Sequence, residues 1–552
     1  MSSWFKERLL KAESKIEQHF KDGPPEQEHG VPTPQNRTLF QAFEWHSGGQ
    51  HWTHLTRELP SLAEIGVTNI WLPPGCKANS PKGNGYDCYD LWDLGEFDQK
   101  WTKATKWGSR QELDDLIASA KGLGVGVIWD AVLNHKTAGD STEECWAVEV
   151  DAEDRRQETS RPKKIEPWIH YNFPGRGDTY SPMKWHWQHF NGTDWDQHAQ
   201  RHAIYKIIDP PETAPRPGQS TTRRPKGWAP DVDDLHGNAD YLMFSNIDHA
   251  NPEVREDLMK WGQWMVRDVG VDGFRLDAVP HYSWNFARDW VCQVIKAAVQ
   301  QRRDLLILGE YWMPNVAKIV RWVDNVGQGV KAIDAPLYMN FSKLSQSKFK
   351  LEADLRRVYR DTLVAARPDN AVTMITSHDT QPGQTMATRI EPYFKMLAYA
   401  IMLLRKEGLP SVFYGDVYGT KGPHAEPRAC DGKVPALVLC RKLYAYGKQA
   451  DYFDSRSCIG WVRQGTWDKT DGCAVVMSIQ SAAKLTMFVG EEHAGQQWTD
   501  VLGNREEAVD INGSGYGNFP CSSKSVSVWV KQNAQGRDQF PHSCGEHRFR
   551  SN

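Results

Sequence analysis

The chain has 552 residues, a formal net charge of -4, and 39% hydrophobic and 25% charged residues. This length exceeds what one compact core usually forms and predicts two or three domains. The charge predicts no attraction to nucleic acid or membrane surfaces, and no apolar run reaches the roughly 20 residues of a spanning helix. The 24 tryptophans suit either large cores or surfaces that stack on sugar rings.

The N-terminal residues and the cysteines bear on compartment. Residues 1–8 are charged and lack the apolar segment of a secretory signal. The ten cysteines are scattered without a Cys-x-x-Cys pair, unlike a zinc site or a dense disulfide framework. We therefore expect a cytoplasmic protein and a monomer. Residues 1–36 are interpreted as a polar N-terminal extension, with a partner-binding helix as the alternative.

From residue 38, short β-rich runs alternate with amphipathic helical stretches. Eight such runs predict an α/β fold with a closed (β/α)8 TIM barrel. One helix is marked by Asn251 as the cap, Pro252 in the first turn and Gly270 at the end. Its apolar stripe of Val254, Leu258, Trp261 and Met265 predicts packing against the core. The eight runs are residues 38–43, 67–72, 125–130, 273–277, 305–308, 331–334, 372–376 and 412–414.

The long polar segment between the third and fourth runs predicts a subdomain inserted after barrel strand 3. Within it, residues 209–224 hold four prolines and predict an exposed loop. After about residue 450, short strand-like pieces predict a C-terminal all-β domain of sandwich type. The predicted units are the barrel at 37–130 and 240–450, the insertion at 131–239, the β-sandwich at 451–532 and a tail at 533–552.

Three acidic residues end predicted barrel strands: Asp277, Glu310 and Asp379. Glycoside hydrolysis requires one carboxylate as nucleophile and one carboxylic acid as proton donor. In a barrel, both are expected at the C-terminal ends of different strands. One such acid alone would be an ordinary cap or ion-pair residue, whereas three at equivalent positions indicate a catalytic group.

A series of motifs in a fixed order resembles glycoside hydrolase family 13, the α-amylase family, and within it the bacterial liquefying type. The resemblance runs from about residue 37 to residue 532. It rests on residues 43–45 (Phe-Glu-Trp), 85–86 (Gly-Tyr), 90–97 (Asp-Leu-Trp-Asp-Leu-Gly-Glu-Phe), 130–135 (Asp-Ala-Val-Leu-Asn-His), 173–177 (Phe-Pro-Gly-Arg-Gly), 273–278 (Gly-Phe-Arg-Leu-Asp-Ala), 309–312 (Gly-Glu-Tyr-Trp), 378–384 (His-Asp-Thr-Gln-Pro-Gly-Gln) and 412–416 (Val-Phe-Tyr-Gly-Asp).

The resemblance implies endo-hydrolysis of internal α-1,4 bonds in starch- or glycogen-like glucans with retention of configuration. It implies Asp277 as nucleophile, Glu310 as general acid and then base, and Asp379 as the carboxylate that grips sugar hydroxyls. Arg275 is expected to orient Asp277, and the two reacting carboxyls are expected about 5 Å apart. The other implied substrate-binding residues are His135, His378, Tyr86, Trp45, Trp312 and His281.

One Ca²⁺ is the implied cofactor. The resemblance assigns it to Asn134, Asp240, the backbone carbonyl of His281 and the amide oxygen of Asn246. Liquefying relatives carry aspartates where this chain has Asn191 and Asn246, so further ions are not expected.

Two further departures are Pro280 in place of a lysine and Ser377 in place of an asparagine. The first removes a cation that contacts sugar, and it concerns product pattern and acceptor preference. Two alternatives remain open. One is a 4-α-glucanotransferase, in which a sugar hydroxyl replaces water, and the other is an inactive glucan-binding scaffold. The intact triad of Asp277, Glu310 and Asp379 disfavours the scaffold.

Overall fold

The computed structural model describes residues 31–212, 225–346 and 353–540. Most of the predicted N-terminal extension, most of the proline-rich loop at 209–224 and the last part of the predicted tail lie outside these residues. Among the described helices, none combines the length and apolar character needed to cross a bilayer.

Eight parallel strands close into a barrel, which confirms the predicted fold. The eighth strand pairs with the first, in a register that places Phe40 opposite Val412. Each strand is short and mostly buried, as expected when helices surround a parallel barrel. In chain order the strands are Leu39–Gln41, Asn69–Leu72, Gly126–Ala131, Gly273–Leu276, Leu306–Gly309, Lys331–Ile333, Ala371–Thr373 and Leu409–Phe413.

The helix predicted after Asn251 is confirmed. The Asn251 side chain accepts hydrogen bonds from the backbone N–H groups of Glu253 and Val254, and the helix spans Pro252–Trp264. A π-helical segment, Met265–Val269, extends it to Gly270, whose φ of 91° suits glycine. The other α-helices of the described residues are His51–Ile65, Arg110–Gly122, Trp284–Gln300, Val316–Val326, Ala335–Ser345, Leu363–Ala366, Pro392–Leu404, Tyr414–Tyr418 and Val434–Leu443.

The segment after the third barrel strand forms a six-stranded antiparallel sheet. Its last strand in sequence, Ser245–Ile247, lies beyond the predicted boundary at residue 239. This strand pairs with the short strand that follows barrel strand 3, so the sheet starts and ends beside the barrel. In spatial order the strands are His135–Lys136, Ser245–Ile247, Phe190–Asp196, Arg201–Ile207, Cys145–Glu149 and Lys163–Ile165. A separate short pair joins Lys77–Ala78 to Cys88–Asp90.

The C-terminal region is all-β. A six-stranded antiparallel sheet faces a two-stranded one, and Trp498, Phe519 and Trp529 pack in their shared core. The larger sheet contains Gln449–Tyr452, Cys458–Arg463, Cys473–Ser478, Ser525–Lys531, Gln497–Asp500 and Val509–Asp510, and the smaller contains Ala483–Phe488 and Tyr516–Cys521.

Candidate active site

A cleft of about 790 Å³ opens at the C-terminal ends of the barrel strands, where barrel enzymes hold their catalytic groups. Most of the sequence-predicted site residues line it. These are Trp45, Tyr86, His135, Asp277, His281, Glu310, Trp312 and Asp379.

Arg275 lies behind the cleft and contacts three carboxyl groups. Its side chain is 1% exposed, and Nη1 contacts Asp277 Oδ1 at 2.5 Å and Asp130 Oδ1 at 2.7 Å. Nη2 contacts Glu310 Oε2 at 2.7 Å. Because Arg275 and Asp277 are two residues apart at the end of one strand, both side chains point to the same face. The structure therefore brings together the arginine and the two acids that the sequence predicted.

Glu310 directly follows the fifth barrel strand and has an unusual electrostatic environment. Its Oε2 accepts a hydrogen bond from the backbone N–H of Ala278 at 3.0 Å. Burial raises the pKa of Glu310 to about 8, with Asp277 and Asp379 adding to the shift and Arg275 opposing it. A carboxyl with this pKa holds its proton at neutral pH, as a general acid requires.

Asp379 and His378 follow the seventh barrel strand. His378 Nε2 lies 3.0 Å from Asp379 Oδ2, and the Gln41 side-chain amide donates to His378 Nδ1 at 2.8 Å. Burial acts to raise the pKa of Asp379, but His378 and Arg275 together lower it below its usual range. Asp379 is therefore an ionised carboxylate beside a proton-bearing Glu310, and the two acids have different chemistry.

Three parallel rings form one wall of the site. The ring centroids of Tyr86 and His378 are 5.1 Å apart, and Trp45 lies parallel to both at 6.2 and 6.1 Å. His135 Nε2 donates to the Tyr86 carbonyl at 2.8 Å, and the Tyr86 hydroxyl donates to Asp130 at 2.8 Å. Such flat, fixed aromatic faces suit the apolar faces of pyranose rings.

Trp312 and His281 lie at other points of the cleft lining. The Trp312 ring packs at 5.1 Å from Tyr338. His281 Nδ1 donates to the carbonyl of Ala239 at 2.7 Å, and burial lowers the pKa of His281, so it is neutral at pH 7. Its contact with Ala239 links the cleft to the inserted segment.

Asp130, Lys106 and Gln41 have no role predicted from the sequence. Asp130 is the penultimate residue of the third barrel strand, so the same strand-end argument that selected Asp277 would have found it. Lys106 lies in a long connection, where no local pattern reveals that its Nζ donates to the Trp45 carbonyl at 2.9 Å and to the side chain of Asn84. Gln41 faces inward in the first strand. Its hydrogen bond to His378 forms only because the barrel closes and brings distant parts of the chain together.

The residues expected to hold calcium are close together. The Asn246 side chain donates to Asn191 at 2.8 Å, and Asn191 donates to Asp240 at 2.7 Å. The backbone of Asn134 accepts from Ile247, and His281 bonds to the residue before Asp240. All four predicted ligand residues therefore belong to one junction between the barrel and the insertion.

The donor chemistry of this junction fits a hard cation. The amide oxygens of Asn134 and Asn246 are buried and accept no hydrogen bond from any residue in the described ranges. Asp240 is fully buried beside them. Buried oxygen atoms of this kind suit calcium, which prefers carboxylate, amide and carbonyl oxygens. Within the described part of the chain, no cluster of three His, Cys, Asp or Glu side chains is placed to hold a metal.

Comparison with known proteins gives a consistent result. The family described as "Alpha amylase, catalytic domain" matches residues 18–215 and 207–474, and "Alpha-amylase C-terminal" matches residues 474–530. The chain is 40% identical over 501 residues to an alpha-amylase of Bacillus licheniformis, covering 90% of this chain and 94% of that protein. It is 38% identical over 509 residues to a cytoplasmic alpha-amylase of Escherichia coli K12, covering 90% and 99%.

Solved structures agree on the fold. An Anoxybacillus alpha-amylase matches with a TM-score of 0.57 at 18% identity, covering 90% of this chain and 97% of that one. An alpha-amylase of Geobacillus thermoleovorans, solved with acarbose, matches with a TM-score of 0.56 at 17% identity, covering 90% and 98%. With the family match spanning most of the sequence, this chain belongs to the alpha-amylase family and is a glycoside hydrolase.

Proposed function

We propose that the cleft cuts internal α-1,4 bonds of starch- or glycogen-like glucans by a retaining double displacement. The observation that carries this proposal is the set of acids around Arg275. Asp277 and Glu310 contact the two terminal nitrogens of one guanidinium, so both carboxyls face the same small volume. Two carboxyls about 5 Å apart are the arrangement of retaining glycosidases, and that spacing remains a prediction.

In the first step Glu310 donates its proton to the glycosidic oxygen while Asp277 attacks the anomeric carbon. The bond to the leaving sugar breaks and a glycosyl ester forms on Asp277. Glu310, now ionised, then takes a proton from water, whose oxygen attacks the anomeric carbon and releases Asp277. Arg275 holds the Asp277 carboxyl in position through the first step, because its Nη1 contacts Asp277 Oδ1.

Asp379 and the aromatic wall would hold the sugar that reacts. Asp379 is ionised and lies next to His378, so together they offer an acceptor and a donor to neighbouring hydroxyls. Tyr86 would stack on the ring of that sugar, with His135, Trp45, Trp312 and His281 as further contacts. Hydrogen bonds that strengthen as the ring flattens lower the barrier.

The proposal includes one Ca²⁺ at the junction of Asn134, Asp240, Asn246 and the His281 carbonyl. When bound, the ion would supply positive charge that compensates the buried Asp240 and would tie the insertion to the barrel. The junction adjoins the cleft, since His281 and the residue after Asn134 line it. A cytoplasmic location is also proposed, supported by the cytoplasmic E. coli relative.

The test incubates the full-length protein with maltoheptaose and Ca²⁺ and follows reducing ends together with product sizes. Shorter products with rising reducing ends are expected, and Glu310→Gln should reduce the rate by at least about a thousandfold. Longer and shorter products at constant reducing ends would instead indicate a glucanotransferase. Tight binding without turnover by the parent protein would indicate an inactive scaffold.

A further inference from the structure

Trp101 is the most exposed large hydrophobic residue of the described chain, at 83%. This exposure is unusual here, because at least ten other tryptophans are less than 2% exposed. A single exposed apolar residue is ordinary on a protein surface, so exposure alone identifies no site. The backbone that carries Trp101 provides the second observation.

Lys100 and Trp101 form the centre of a two-residue turn. Gln99 and Thr102 exchange backbone hydrogen bonds of 3.1 and 3.2 Å across it. Both central residues have positive φ, 49° for Lys100 and 64° for Trp101. Turns of this shape favour Asn and Gly, and positive φ is unfavourable for a residue as bulky as tryptophan. The fold therefore accepts a strained conformation that directs an indole ring into solvent.

The turn is anchored firmly. Lys77 Nζ donates to the carbonyls of Phe97, Thr102 and Lys103 at 3.0, 2.8 and 2.7 Å, and its side chain is 1% exposed. Lys100 Nζ lies 3.2 Å from Asp140 and 4.0 Å from the centre of the Tyr89 ring. A ring presented on so fixed a base loses little conformational entropy when a ligand stacks on it.

We propose that Trp101 is a binding platform for α-glucan chains outside the catalytic cleft. The apolar face of a pyranose ring matches an exposed indole face, and Lys103, which is two residues further along the chain and also exposed, can donate to sugar hydroxyls. This inference rests on the proposed function, since the occupant is a distant stretch of the same polysaccharide. Holding a long chain at a second point raises its effective concentration at the cleft, which benefits polymers and not short oligosaccharides.

The test compares the parent protein with Trp101→Ala by electrophoresis in native gels that contain amylopectin. The dissociation constant for amylopectin should be at least threefold larger for the variant than for the parent protein. Its ratio of activity on amylopectin to activity on maltoheptaose should fall by a similar factor. Trp168→Ala is the matched control, because Trp168 is 43% exposed but bonds through its indole N–H to Gln197; it should change neither quantity.

Trp101→Gly serves as the folding control, because glycine adopts positive φ freely. Its thermal midpoint should equal or exceed that of the parent, while amylopectin binding weakens as in Trp101→Ala. Unchanged amylopectin binding in both variants would overturn the platform and leave the proposed function intact if maltoheptaose is still cut. If the variants change the sedimentation coefficient of the protein without weakening amylopectin binding, the platform proposal is overturned. Trp101 would then be a contact between copies of the chain.

Discussion

Glu310 is surrounded by more negative than positive charge, and this determines how activity should vary with pH. Asp277 and Asp379 raise its pKa, whereas Arg275 is the cation that opposes them. Because Glu310 must be protonated to act as the acid, kcat/KM should fall as pH rises through about 8.

The fall of kcat/KM at high pH is the alkaline limb of the pH profile. Asp379→Asn should move this limb to lower pH, since it removes one of the charges that stabilise protonated Glu310. The pH dependence of kcat/KM on a short oligosaccharide measures the limb in both proteins. The rate of the variant should also fall, because Asp379 grips the substrate in the proposal. An alkaline limb at the same pH in the parent and in Asp379→Asn would contradict this electrostatic account of Glu310.

Lys106 should act as a positioning residue. Its Nζ connects the Trp45 carbonyl with the Asn84 side chain, so it fixes two loops that line the cleft. We expect Lys106→Met to raise KM for maltoheptaose about five- to tenfold with a smaller change in kcat, since sugar contacts loosen while the acids stay in place. Steady-state kinetics measure the split between the two constants.

Lys82→Met provides the comparison for Lys106→Met. Lys82 also lines the cleft but is exposed. An equal rise of KM in both variants would show that lost charge, and not loop positioning, is responsible. The importance of Lys106 could not be predicted from the sequence, because its partners at Trp45 and Asn84 are distant along the chain and meet only in the folded barrel.

Asp334 connects three elements at the end of the sixth barrel strand. Its fully buried carboxylate accepts from the N–H groups of Leu337, Leu363 and Val364 at 3.1, 3.0 and 2.7 Å. Asp334→Ala leaves three buried donors unsatisfied, so we expect the free energy of unfolding to fall by about 3 kcal/mol or more. Urea unfolding measures this loss.

The matched control is Asn315→Ala at the exposed cap of helix Val316–Val326, where about 1 kcal/mol is expected. A loss for Asp334→Ala no larger than for Asn315→Ala would contradict the structural role of Asp334. The hydrogen bonds of Asp334 to Leu363 and Val364 join segments that are distant along the chain, so a local sequence pattern could not predict them.

The barrel strands themselves were predictable because each forms a short apolar run between two stretches of helical periodicity. All eight runs overlap observed strands, although the ends differ. The eighth strand begins at Leu409 and includes Pro410, a residue that sequence reasoning treats as a strand breaker. Tyr414, which was predicted to lie in that strand, starts a short helix instead. The sheet of the insertion was not predictable in detail, since its strands pair across long stretches of polar chain.

At the scale of the whole molecule, tryptophan content alone did not distinguish a sugar-binding surface from a large core. The structure shows that much of it is core, with Trp261 and Trp290 packed between helices. Active-site residues were predictable because family 13 motifs place them at strand ends. The contacts that bring Arg275 to both Asp130 and Glu310 arise from three different strands, and only closure of the barrel creates them.

The calcium proposal predicts a whole-molecule effect on stability. Chelation of Ca²⁺ with EGTA should lower Tm by several degrees, because the ion binds the folded junction and not the unfolded chain. Asn246→Asp should increase the Tm gained per Ca²⁺ added, as a carboxylate is a stronger ligand than an amide. Differential scanning calorimetry over a Ca²⁺ titration measures both. A Tm independent of Ca²⁺ in the parent and in Asn246→Asp would rule out the site.

The configuration of the first product tests the central claim most directly. Proton NMR spectra taken during the first minutes of maltoheptaose hydrolysis distinguish the two anomers before mutarotation mixes them. Attack by Asp277 followed by attack of water inverts the anomeric carbon twice, so the account predicts the α-anomer first. Appearance of the β-anomer first would mean a single displacement by water and would contradict Asp277 as the nucleophile.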